Sequence, residues 1–168
     1  EFHAAIRAAA RPHGMRILGP HCLGILSAQA GLNASIAARA PQPGDLALVS
    51  ESSAIAAALV EWGVSRSIGF SKVVSLGDAL DVDFADLLDH LATDRHTRAI
   101  LLYVEQLGDA RKFMSAARAA ARAKPVVLVR AARPQPPASI AEVGLRALAP
   151  AEAVHAAAFR RAGLLQVE

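Results

Sequence analysis

Asp45-Leu-Ala-Leu-Val-Ser50-Glu-Ser52-Ser53-Ala54-Ile55-Ala-Ala-Ala-Leu59-Val-Glu-Trp62-Gly-Val-Ser65 is the stretch on which the fold turns. Asp45 to Ser50 is a short apolar run, the mark of a buried strand, and Ser52 to Ser65 is Ala-rich with Ile55, Leu59 and Trp62 at helical spacing. Small hydroxyl residues join the two, so a strand passes directly into a helix.

Downstream the alternation repeats. Phe70 to Leu76 reads as a strand. Asp83 to Leu91 reads as a helix with Phe84, Leu87, Leu88 and Leu91 on one face. Ala99 to Glu105 is a near-continuous apolar strand of the kind buried on both sides. Gly108 to Ala123 is helical and Pro125 to Val129 a strand; Pro134 to Pro137 breaks the pattern; Ala151 to Ala162 is helical and Leu164 to Val167 closes as a strand. Strands alternating with helices of this length require right-handed crossovers, hence a parallel sheet covered by helices. The expected fold is a three-layer, flavodoxin-like α/β domain.

Upstream, Phe2 to Arg11 is rich in helix formers and stops at Pro12, and Met15 to Leu18 reads as a short buried strand. From Gly19 to Gly44 the chain is punctuated by Gly, Pro, Asn and Ser, which predicts irregular structure. It ends in Pro41-Gln42-Pro43-Gly44, a linker signal. The expected division is therefore 1–40 and 41–168.

The 168 residues are 54% hydrophobic, ample for a core and against disorder. No apolar run approaches the roughly 18 residues of a membrane span, and no signal peptide is evident, so a soluble, cytoplasmic protein is expected. The single cysteine excludes an intrachain disulfide, and no Cys/His cluster has zinc spacing. The net charge of +3 comes from 18 Lys+Arg, mostly Arg and scattered, without interleaved aromatics, which argues against nucleic acid.

Function in such a sheet sits at the carboxyl ends of the strands. Ser50-Glu51-Ser52-Ser53-Ala54 is either an anion site at a helix N-terminus or an ordinary helix cap. Asp78, Asp81 and Asp83 crowd one loop, so that Mg²⁺, a helix N-terminus or solvent must relieve their repulsion. Glu105 ends an apolar strand on the same rim as Ser52, where a carboxylate either orients a cationic or histidine partner or is a solvated strand terminus. Gly19-Pro20-His21-Cys22-Leu23-Gly24 sets a thiol beside an imidazole; a nucleophilic pair and a buried small hydrophobe are the two readings.

These segments, in this order, resemble the NDP-forming acyl-CoA synthetases, relatives of the succinyl-CoA synthetase alpha subunit. Gly-Pro-His21-Cys22-Leu-Gly is similar to the family's Gly-Pro-Asn-Cys-Leu-Gly, Gly31-Leu-Asn33-Ala-Ser35 to its Gly-Leu-Asn-Ala-Thr/Ser, and Val49-Ser-Glu51-Ser52-Ser53-Ala54 to its Val-Ser-Gln-Ser-Gly/Ala-Ala. Ser75-Leu-Gly-Asp78-Ala-Leu-Asp81-Val-Asp83 and Ile100-Leu-Leu-Tyr103-Val-Glu105 extend the likeness. The resemblance implies that residues 1–40 are the tail of a Rossmann-type CoA-binding domain plus a linker, and that Pro20, His21 and Cys22 lie on the CoA side. It further implies that Ser52, Ser53 and Ala54 start the helix that holds a phosphohistidine phosphate, and that Glu105 matches the glutamate orienting that histidine.

The family's histidine lies in a Ser-His-Thr-Gly-Ala stretch, whereas here an ungapped register sets Gly144 at its position, and Arg133 to Pro150 contains no histidine. This loss, with the Leu107-Gly-Asp-Ala-Arg-Lys-Phe run, resembles the synthetase-like region of Pat-type protein lysine acetyltransferases, in which CoA or acyl-CoA is sensed and a fused GNAT domain is catalytic. The alternative is a domain of an active acyl-CoA synthetase that works with ATP/ADP and Mg through an ATP-grasp domain. Partners under either reading are other domains of the same polypeptide, or a second copy. A third reading, a serine hydrolase, takes Ser52 as nucleophile with His90, His96 or His155 downstream.

Overall fold

The computed structural model describes residues 2–131 and 151–167. Helix α1 (Phe2–Ala10) is followed by strands β1 (Gly24–Ser27), β2 (Leu32–Ser35) and β3 (Pro43–Ser50), and helix α2 (Ser53–Ser65). Next come β4 (Phe70–Ser75), α3 (Phe84–Thr93), β5 (Ala99–Val104), α4 (Ala110–Ala123), β6 (Val126–Arg130), α5 (Ala151–Ala162) and β7 (Leu165–Val167). The seven-stranded sheet has the order β2-β1-β4-β3-β5-β6-β7. Strands β3 to β7 pair in parallel, and β1 joins β4 antiparallel.

Period-two alternation in β3 separates two cores. Leu48 faces one side with Ala56 and Val60 of α2, Val73 of β4 and Leu26 of β1. Ala47 and Val49 face the other, with Leu88 of α3, Ala117 of α4 and Phe159 of α5. Burying each of the larger side chains contributes about 1.5–3 kcal/mol. The flavodoxin-like α/β architecture is thus present, with a mixed sheet that is mostly parallel.

Three local expectations are corrected. Met15 to Leu18 is not a strand and is only partly buried: Met15 is 63% exposed, while Leu18 packs against the core. The segment instead runs beside the loop after β4, accepting backbone hydrogen bonds from Val82 to Ile17, from Leu80 to Gly19 and from Asp78 to Pro20. The interval Gly19–Gly44 holds regular structure, because β1 and β2 pair as a short antiparallel hairpin. Four-residue strands with exposed Leu32, Asn33 and Ala34 carry no apolar alternation for a sequence reading to find. Strand β5 is buried on one face only; Ile100, Leu102 and Val104 are inside, while Ala99, Leu101 and Tyr103 are half-buried.

Pro43 and Gly44, part of the linker signal, already belong to β3. A Cβ on Gly44 would lie 2.2 Å from the carbonyl carbon of Gly69, so glycine there lets two backbones touch where β3 and β4 begin. The proposed division at residue 40 falls between β2 and β3, and the strand pair on its N-terminal side is hydrogen-bonded into the same sheet.

Candidate functional site

The carboxyl ends of β3, β4 and β5 converge on one rim, as their parallel register requires. Ser52 is the N-cap of α2, its Oγ accepting from the Ile55 N–H at 3.3 Å. Ser50 is fully buried and its Oγ donates to the Ser52 carbonyl at 2.8 Å. Ser53 Oγ donates to the His21 carbonyl at 3.1 Å, so its contact with Ser75 Oγ at 3.2 Å takes the Ser75 proton. Ala54 is exposed on the first turn. The hydroxyls here are committed to capping and to joining β4 and the 19–22 segment to α2.

That segment places His21 and Cys22 apart in function. His21 has φ of 56° and its Nδ1 lies 2.8 Å from Asp78 Oδ2, while His3 Nε2 approaches the same oxygen at 3.2 Å. The half-buried Cys22 instead points its Sγ at the Leu18 carbonyl, 3.8 Å away. The imidazole and thiol that adjoin in sequence thus have different partners, and no nucleophilic pair is assembled. Pro20 packs against the turn after β4, where a Cβ on Gly77 would stand 2.1 Å from its carbonyl oxygen.

The three aspartates after β4 find their relief within the protein. Asp81 is held by Arg16 at 2.8 Å and by the Ile17 N–H, which keep its carboxyl below the usual range. Asp83 caps α3 in a capping box with Asp86, and Lys112 of α4 donates to both. Asp78 has the two histidines. Among the described residues no group of three or more His, Cys, Asp or Glu is arranged to hold a metal ion.

Glu51 is a residue whose role the sequence did not reveal. Its carboxylate accepts the backbone N–H groups of Glu105 and Gln106, tying the end of β3 to the end of β5. Glu105 is half-buried and shares this rim with Ser52, as expected from its place in the strand order. Between these ends lies a cavity of about 330 Å³, lined by Arg7, Glu51, Asp78, Asp83, Phe84 and Gln106 among others. Arg7 reaches it from α1 and donates to the Leu80 carbonyl at 3.0 Å. Gly144 lies outside the described residues. His155 is on α5, stacked at 25° on Phe159 with ring centroids 6.2 Å apart, a packing role. Among the described residues no imidazole is hydrogen-bonded to Ser52 or Ser53, which leaves the hydrolase reading without a base.

Residues 43–168 match the family described as succinyl-CoA ligase like flavodoxin domain. The chain belongs to this family. Within it, the acetate–CoA ligase [ADP-forming] I subunit alpha of Pyrococcus furiosus is 41% identical over 94% of this chain and 34% of its own length. The 4-hydroxybutyrate–CoA ligase [ADP-forming] of Nitrosopumilus maritimus is 33% identical over 95% of this chain and 23% of its own. A solved dinucleotide-forming acetyl-coenzyme A synthetase 1 of Ca. Korarchaeum cryptofilum, in complex with phosphate and ADP, superposes with a TM-score of 0.83 at 32% identity, covering 99% of this chain and 36% of the other. The chain thus spans about a third or less of these succinyl-CoA ligase-like relatives. Among the described residues no helix is long and apolar enough to cross a membrane.

Proposed function

We propose that this domain belongs to a protein of the NDP-forming acyl-CoA synthetase type that handles CoA or acyl-CoA but does not pass a phosphoryl group through a histidine of its own. The observation that carries this is chemical: Arg133 to Pro150, where the family's phosphorylated histidine resides, contains none, and glycine at position 144 cannot accept a phosphoryl group. The rim supports it. Glu51 stands where the family pattern has glutamine, so a carboxylate precedes the N-terminus of α2 and opposes a bound phosphate. The Ser52 and Ser53 hydroxyls serve a cap and a backbone carbonyl.

In the reading we favour, the domain is the regulatory, synthetase-like part of a Pat-type protein lysine acetyltransferase. Pro20, His21 and Cys22 lie on its acyl-CoA side, Glu105 is a relic of the histidine-orienting glutamate, and a GNAT domain elsewhere in the polypeptide performs the transfer. The second reading is a working acyl-CoA synthetase domain, with ATP or ADP and Mg bound by other domains. It is favoured by relatives at 33–41% identity that are acetate–CoA ligases [ADP-forming]; they carry no information on an acetyltransferase fusion.

The test is to assay the full-length parent protein with acetyl-CoA and either a lysine-bearing protein or ADP with phosphate. Acetyl-lysine formed without ATP supports the favoured reading. ATP formed from acetyl-CoA, ADP and phosphate overturns it in favour of the second.

A further inference from the structure

Fifteen of the eighteen basic residues are arginine, and in the sequence they are scattered. The fold gathers five of them. Arg111, Arg118 and Arg122 are exposed on α4 at spacings of seven and four residues, which sets them on one side of the helix with rises of about 10 Å and about 6 Å between them. Arg160 and Arg161 stand in the last turn of α5, also exposed.

An open cavity of about 690 Å³ runs along α4 past Arg111, Met114, Ser115 and Arg118, and a second of about 500 Å³ lies between α4 and α5 beside Ala121, Arg160 and Gly163. Both are lined by Arg118 and Arg122, so they form one groove with a floor of small and apolar side chains and walls of guanidinium.

Four of the other arginines have partners for their side chains. Arg16 meets Asp81 and Asp86, Arg7 the Leu80 carbonyl, Arg66 the face of Trp62, and Arg98 lies toward Asp45. The five groove arginines have no carboxylate in ion-pair reach among the described residues. Neighbouring carboxylates are committed elsewhere: Asp109 caps α4, and Asp83 and Asp86 hold Lys112. A cluster of like charges repels itself until a complementary surface arrives.

We propose that the α4–α5 groove docks an acidic helical segment of a protein partner. Carboxylates spaced by four and seven residues on one helix lie at the same rises as the three guanidiniums of α4, and each guanidinium fork can bind a carboxylate through two parallel hydrogen bonds. The floor at Met114, Ala119 and Ala121 accepts the apolar flank of such a helix. Nucleic acid fits less well, because neither cavity is lined by an aromatic side chain on which a base could stack.

The experiment measures, by fluorescence anisotropy on the full-length protein, binding of an Ala-rich peptide with Glu at spacings of four and seven. Comparison ligands are a scrambled peptide of the same composition and a single-stranded RNA. The patterned peptide is expected to bind at least about tenfold more tightly than the scramble, to weaken with salt, and to lose about tenfold or more in R118E/R122E. R160E/R161E, on the other wall, supplies the same readout if the α4 variant does not fold. Equal binding of the scramble, tighter binding of RNA, insensitivity to both charge reversals, or no binding of the patterned peptide each overturns the proposal.

Discussion

Glu51 Oε2 lies 2.9 Å from the backbone nitrogen of Gln106, and the same oxygen accepts from the N–H of Glu105. One carboxylate thereby closes the gap between the ends of β3 and β5, where the parallel ladder stops and leaves two donors. Hydrogen bonds to a charged acceptor contribute about 1.5–3 kcal/mol. Glu51→Ala is expected to lower the unfolding free energy by about 2 kcal/mol in a urea titration. Glu51→Gln, which keeps an acceptor, should lose no more than about half as much. Equal stability of wild type and the alanine variant would contradict this role.

Gly77 adopts φ of 56°, and a Cβ there would stand 2.1 Å from the Pro20 oxygen and 2.8 Å from the His21 carbonyl carbon. Gly77→Ala is expected to cost more than about 2 kcal/mol, from the left-handed backbone and the clash together. Limited proteolysis should show new cutting in the 14–22 segment, since that contact holds it against the turn. A native digestion pattern would mean the two loops are held otherwise.

The alternation of β3, α2, β4, α3, β5, α4 and β6 was legible because each element carries its own period and its own cap. Ser52, Asp83 and Asp109 stand at helix starts and do what those residue types do there. The hairpin of β1 and β2 was not legible, since both strands are four residues long, β2 is an exposed edge and β1 buries only Leu26 and Ser27, too little to impose alternation. The half-buried state of Leu101 and Tyr103 was hidden as well: an apolar run states what can be buried, and the packing of helices decides what is. At the site, the rim position of Ser52 and Glu105 followed from strand order. The partners of Asp78, Asp81 and Asp83 did not, because His3, His21, Arg16 and Lys112 come from segments distant in sequence.

At the opposite end of the sheet, Asp94 is half-buried and bound by the Lys72 ammonium and the Thr97 hydroxyl. Burial alone would raise its pKa, but these donors with the His96 N–H outweigh it and hold the carboxyl well below the usual range. A carboxyl depressed in the folded state stabilises the fold above its unfolded pKa, near 3.8, and that contribution is lost as pH falls through the folded value. Stability is therefore expected to decline progressively below about pH 4. Asp94→Asn should be less stable at pH 7 and show a shallower acid decline. An acid limb unchanged by the substitution would assign the effect to other carboxylates.

Phe113 is the middle of an aromatic row, edge-on to Phe84 at 6.2 Å and to Phe159 at 6.1 Å. It ties α4 to both α3 and α5. Phe113→Ala is expected to cost about 3–5 kcal/mol, and Phe113→Leu substantially less. Differential scanning calorimetry would check both; a small loss in the alanine variant would show that the three helices dock without this row.

The central claim, that the domain no longer carries a phosphoryl acceptor, is tested most directly by phosphorylation of the full-length protein. Incubation with Mg²⁺ and radiolabelled ATP, followed by acid and base treatment and peptide mapping, reads the chemistry itself. The account predicts no label that is acid-labile and base-stable on residues 1–168. Such a label on a histidine of this chain, chased off by CoA and a carboxylic acid, would contradict it and restore the working-ligase reading.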